Sequence, residues 1–213
     1  MRSYAAGYDA TVKGVGGCPF DMNLLQQNYI EGAITPTRII YFDGLSTSVN
    51  ITVSAMDGVA NSDGKESIDL LAGSSFFESS VLNFRLPNLH KPGSARASDF
   101  WGVIPTNKVS PQLIQKLHQG GVDRIVVSSL ALIDGGTSGD KARVVQTVEY
   151  TSCFLKMVDM TSYGFLTLFS FSFVKMKITQ NDVKPLSASG VNTPDHGKYV
   201  YEFNYNSGEG KGA

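Results

Sequence analysis

Apolar and polar positions alternate along much of this chain. Val49, Ile51, Val53 and Ala55 alternate with Asn50, Thr52 and Ser54, the two-residue period of a strand with one face buried. Arg38–Asp43 is β-branched and aromatic, and Gly44 ends it. Further strands are expected over Phe76–Leu86, Arg124–Ile133, Ala142–Glu149, Thr151–Met160, Phe165–Thr179 and Tyr199–Tyr205. Strict alternation sets Leu166, Leu168, Val174, Met176 and Ile178 on one face of the 165–179 strand and Phe169, Phe171 and Phe173 on the other. Both faces being apolar in its middle, both are expected to be covered there. Asp134–Asp140 reads as a hairpin connection and Asp57–Gly64 as a loop. Pro87–Ala97 reads as a polar loop carrying His90, Lys91 and Arg96.

One helix start stands out. Ser110 is a cap type whose hydroxyl can accept a free backbone N–H, and Pro111 is pre-set for the first helical position. Leu113, Ile114 and Leu117 then form one apolar face, and Gly120-Gly121 stop the helix. A helix this short depends on packing. Residues 1–37 are interrupted by Gly14, Gly16, Gly17, Pro19 and Pro36 and read as an arm, with room for a short helix over Phe20–Ile30. Residues 38–206 form the main domain and 207–213 a flexible tail. Many short antiparallel strands and one flanking helix predict a mainly β protein, a small antiparallel β-barrel or a sandwich.

Composition narrows the function classes. Of the 213 residues 42% are hydrophobic and 17% charged, too apolar for a disordered chain. The net charge of -1 gives no basic excess for nucleic acid, so no nucleic-acid partner is expected. Cys18 and Cys153 match no disulfide framework and no metal spacing, and read as two free thiols. Met1–Gly17 lacks an apolar leader, and the longest apolar stretch, Phe165–Val174, is broken by Thr167, Ser170 and Ser172. The expectation is a chain folded in the cytoplasm, without stable membrane insertion, that would leave only by a route needing no signal peptide.

Catalytic patterns are tested and fail. Ser62-Asp63-Gly64-Lys65-Glu66 has Val59 where a phosphate loop needs its first glycine, and Glu66 where it needs Ser or Thr. Ser172 and Lys175 match Ser-x-x-Lys, but on a strand they point to opposite faces. His90, His118 and His196 lie too far apart in sequence for a metal pair. No catalytic residue, metal or cofactor is therefore expected. Two rival readings keep candidates: a ligand- or carbohydrate-binding barrel using Tyr199, Tyr201 and Trp101, and a hydrolase with a triad assembled in space.

Ser98-Asp99-Phe100-Trp101, then Lys108-Val109-Ser110-Pro111-Gln112-Leu113, then Gly120, resembles the haemolysin-coregulated protein family, Hcp, the inner-tube subunit of type VI secretion systems. Other pieces follow in the family's order: Ile40–Leu45, Ser80–Phe84, Pro92-Gly93-Ser94, Cys153–Met157 and Phe169–Met176. The resemblance spans residues 76–180 and, more weakly, 38–45. Residues 1–37 have no counterpart, 46–75 looks like an insertion, and Tyr199–Tyr205 replaces a Gly-Trp-Asp. The resemblance implies a non-enzymatic Hcp-like barrel with one flanking helix. Six copies would close into a ring and rings would stack into a tube, with sheath, spike and secreted effector proteins as partners. It also implies that the loop bearing His90, Lys91 and Arg96 reaches the next ring.

Overall fold

The computed structural model describes residues 18–34, 36–45, 67–75, 77–81, 92–133, 141–181, 198–204 and 209–212. The predicted strand at 49–55, the loop at 57–64 and the connection at 134–140 lie outside them, as do His90, Lys91 and His196. The chain runs through helix α1 (Met22–Ile30), then β1 (Arg38–Phe42), β2 (Ile68–Asp69), β3 (Ala72–Ser74), β4 (Phe77–Val81), β5 (Pro92–Ala97) and β6 (Phe100–Pro105). Helix α2 (Val109–Gln119) follows, then β7 (Val122–Ile133), β8 (Lys141–Asp159), β9 (Leu166–Asn181), β10 (Lys198–Asn204) and β11 (Glu209–Gly212).

Antiparallel pairing joins nine of these strands in one sheet, ordered β11-β10-β9-β8-β7-β1-β2, with β6 on β9 and β3 on β6. Residues 67–75 close it. Asp69 and Ile68 lie opposite Ile39 and Ile40, whereas Ala72, Gly73 and Ser74 lie opposite Val103, Gly102 and Trp101. Between these pairs the Leu70 N–H donates to the Arg38 carbonyl and the Leu71 N–H to the Val103 carbonyl, each at 2.9 Å. Successive amides serve opposite neighbours, so the ladder β1–β7–β8–β9–β6–β3/β2 returns to β1. The sheet is thereby curled into the expected barrel, and closing the circuit removes the edges that β1 and β6 would otherwise expose. Residues 67–75, which the resemblance placed inside an insertion, are this seam.

A corner crosses three neighbouring strands. Val122 and Ile125 are buried on β7, Tyr150 and Cys153 on β8, Phe173 and Met176 on β9. In each case two residues outside the core intervene, where strict alternation allows one. The pairs stay in register, Val122 with Cys153 with Phe173 and Tyr150 with Met176. Ser152, inside the β8 step, has φ 54°, a left-handed value that costs a non-glycine residue roughly 1–2 kcal/mol. The step returns the core-facing side chains to the inside as the sheet bends. This overturns the strict two-face reading of the 165–179 strand: Met176 shares the core with Phe169, Phe171 and Phe173.

The core is aromatic. Phe100 stacks on Phe171 at 4.9 Å, Phe42 meets Phe169 edge-on at 5.4 Å, and Tyr150 tilts against Phe173 at 4.8 Å, geometries that add to their area burial. Gly102 makes room, since a Cβ there would lie 2.4 Å from the Phe169 ring. The Tyr150 hydroxyl meets Ser75 Oγ at 3.1 Å. Burial pushes this phenol up to about 12, against the opposing effects of the Ser75 hydrogen bond and the Arg38 charge.

Other expectations change. Pro92–Ala97 is not loop but strand, paired with β4 in a separate two-stranded sheet. Glu209–Gly212, expected in a flexible tail, pairs with β10, its Gly210 and Gly212 opposite Phe203 and Tyr201. The short helix in residues 1–37 is present as α1, capped by Asp21, whose Oδ1 accepts the Leu24 N–H at 3.2 Å.

Candidate assembly surfaces

The start of α2 differs from its sequence reading. The cap is Asn107, whose Oδ1 accepts the Val109 N–H at 2.8 Å. Ser110 lies inside the first turn and returns the favour: its Oγ accepts the Asn107 N–H at 3.2 Å, the reciprocal arrangement of a capping box. Ser110 is fully buried and its Oγ meets Thr167 Oγ1 at 2.7 Å, which meets Thr106 Oγ1 at 3.1 Å. This hydroxyl chain ties α2 to β9 and the end of β6. Pro111 also sits in the first turn, where a missing N–H is tolerated. Leu113 is fully buried in the main core and Leu117 packs against it. Gly120 caps the helix with φ 101°, and Gly121 passes close under Cys153, where a Cβ would lie 2.1 Å from its carbonyl oxygen. Of the four α2 residues singled out from sequence, Ser110 and Leu113 are buried, Leu117 is partly buried and Pro111 is exposed.

The stacking candidates fall differently. Arg96 is on β5, opposite Glu78 in register, whereas His90 and Lys91 lie outside the described residues. The aromatic candidates do not converge. Trp101 pairs with Ser170, while Tyr201 and Tyr199 pair with Ile178 and Gln180. Eight to ten residues of β9 separate them, roughly 26–33 Å at the strand rise. Trp101 is 6% exposed and Tyr199 57%.

Both thiols are free. Burial pushes Cys153 up to about 12, with Asp123 adding to the rise and a hydrogen bond from the Ile125 backbone opposing it. Burial also raises Cys18, against the opposing effect of a Phe20 backbone hydrogen bond. Neither is a thiolate at neutral pH, so neither is an activated nucleophile. Among the described residues no group of His, Cys, Asp and Glu could hold a metal ion, and no helix is long and apolar enough to cross a membrane.

Two surfaces appear that sequence reading missed. On the outer face of the sheet, Glu149, Lys177 and Glu202 follow one another in register from β8 to β10. Arg124 binds Glu149 at 3.0 Å and Lys177 binds Glu202 at 3.2 Å. Charge therefore alternates in sign across the strands, each worth under about 1 kcal/mol but jointly leaving no single-sign patch. On the lower outer wall, Trp101, Val103, Leu166 and Leu168 form an apolar patch that α1 covers with Met22. Cys18, Phe20, Leu25 and Tyr29 pack around it.

No protein-family model matches the chain, and no curated protein matches it by sequence. Solved structures do match by shape. A type six secretion system protein superposes with TM-score 0.57 at 11% identity, over 83% of this chain and 99% of that one. The Hcp1 protein of E. coli EAEC 042 superposes with TM-score 0.50 at 13% identity, over 81% of this chain and 99% of that one. These identities speak for architecture, and the barrel with its flanking α2 is accordingly the Hcp fold.

Proposed function

We propose that this chain is a structural, tube-forming subunit of a type VI secretion or related contractile injection apparatus. In this reading six copies close into a ring, rings stack, and the lumen carries secreted effectors while sheath and spike proteins engage the tube. The carrying observation is the fold likeness that spans nearly the whole of a type six secretion system protein. Among the described residues β11 ends the main sheet, and it and the two-stranded β4–β5 sheet supply strands on which a neighbour can pair. A head-to-tail contact between such surfaces closes into a ring when its rotation allows. The chain reaches the outside through the apparatus itself and catalyses nothing.

Light scattering of the purified chain should give a hexameric mass, and electron micrographs should show rings. A strict monomer at micromolar concentration, without rings, would overturn the reading. Stacking is assigned to the segment carrying His90, Lys91 and Arg96, whose cations can meet carboxylates on the next ring. Lys91→Glu with Arg96→Glu should leave rings intact and suppress tubes; tubes that persist would move the stacking contact elsewhere.

A further inference from the structure

Helix α1 is attached to the barrel in an unusual way for a structural element. Among the described residues, no hydrogen bond or ion pair ties it to the sheet; its bonds are all local. Nine residues are too few for a helix to persist alone in water. Its hold is the apolar contact of one fully buried side chain, Met22, and of its partly buried neighbours with the Trp101, Val103, Leu166 and Leu168 wall. All four wall side chains are almost wholly buried, under the arm together with Leu71, Ala72, Met157 and Tyr163, so loss of the arm would bare apolar surface.

The connection out of α1 is exposed at Glu31, Gly32, Ala33 and Thr37, and Gly32 turns it with φ 68°. Seven residues from Glu31 to Thr37 reach about 24 Å when extended. Away from the wall, Leu24 is 53% exposed and Ile30 61% exposed, Ile30 lying with Asn23, Gln26, Gln27 and Glu31 around a shallow depression. The helix thus has apolar side chains on two sides and a partner for one.

We propose that α1 is an exchanged arm: in the assembly it seats on the Trp101 wall of a neighbouring copy, whose α1 is likewise given away. This rests on the reading that copies of the chain associate. The wall-to-helix contact is the same in cis and in trans, so exchange sacrifices none of it. The swapped helix then lies at the junction of two copies, where Leu24 and Ile30 gain a surface to cover them. The barrel's ladders involve no residue of α1, so lending the arm leaves the closed circuit intact.

Trp101 is the only tryptophan, so its emission reports whether the wall is covered. One full-length variant, Met22→Asp, should undock its own arm and shift its emission to longer wavelength. A second, Trp101→Phe, keeps an intact arm and is silent. Mixed under assembling conditions, the pair should return the emission to the wild-type wavelength, because the silent chain's arm seats on the bared wall. A silent chain that also carries Met22→Asp should not restore it. Co-assembly by sizing without recovery of the emission would overturn arm exchange and leave assembly standing. A wild-type chain that never associates would overturn the assembly reading and the exchange with it. An unshifted emission from Met22→Asp would also overturn the proposal, since the arm would not be what covers the wall. Should Met22→Asp fail to fold, Met22→Ala serves in its place with the same outcomes.

Discussion

One strand, β9, lives in two environments. From Leu166 to Phe171 it is buried on both faces, with the aromatic core within and, at Leu166 and Leu168, the patch under α1 without. From Lys175 onward its inner face still carries Met176 and Ile178, but its outer face carries the exposed Lys175 and Lys177. The lower half consequently carries apolar side chains on both faces and the upper half an alternation. What distinguishes the halves is not strand propensity but whether an element from far along the chain docks on the second face.

The lower half should break hardest. Phe171→Ala removes a fully buried ring packed on Phe100 and Tyr150, and should cost about 3–5 kcal/mol in urea unfolding. A cost below about 1 kcal/mol would mean that this half is not the packed one.

Asp69 probes the outer face where the seam joins β1. Its carboxyl is raised from 3.8 to about 6 by burial, and among the described residues its Oδ1 has no hydrogen-bond partner. Because the folded value exceeds the unfolded one, the folded state binds the proton more tightly. The penalty is full above about pH 6 and is relieved as pH falls through the window down to 3.8. Asp69→Asn should therefore stabilise the protein at neutral pH, and the wild type should close the gap on acidification. Partial exposure of the carboxyl limits the size of the effect. Parallel urea midpoints for both proteins at every pH would show a solvated carboxyl.

Charge reversal in the upper half should matter less. Lys177→Glu places like charges opposite Glu149 and Glu202 and should cost about 0.5–1 kcal/mol, shrinking with added salt. A salt-independent loss several times larger would mean that Lys177 is doing more than balancing the ladder. Smallest of all, Ser152→Gly at the corner relieves a left-handed φ of 54° and should gain about 0.5 kcal/mol, the strain removed less the added entropy of glycine. A loss would show that the Ser152 side chain itself holds the bend.

The sequence carried the features that depend on near neighbours. Strand content, the α2 apolar face at Leu113 and Leu117, and the double cover of Leu166–Phe171 follow from local period and composition. The Hcp resemblance rested on the order of short pieces, and the fold agrees with it. Ser110 was recognised as a cap type, but Asn107 also is, and only the buried Thr167 hydroxyl decides between them. The three-strand corner broke the period silently, because two outward residues in a row look like any polar step. The charge ladder was illegible, since Glu149, Lys177 and Glu202 become a row only once register is fixed. Residues 67–75 read as part of an insertion because Leu70 and Leu71 reveal their two neighbours only through their amides.

That seam has a kinetic consequence. The β8–β9 hairpin joins residues near in sequence and can form early, whereas β6 meets β9 across some sixty-five residues and β1 meets β7 across almost ninety. The five residues from Ile68 to Ala72 must find both of those late ladders at once. Closing is thus the step with the greatest chain entropy to overcome. Until it happens, β1 and β6 stay open as templates for any passing strand. For a chain that must meet its copies only as a finished barrel, the rate of stitching a few residues at 68–72 sets how long the wrong kind of association remains available.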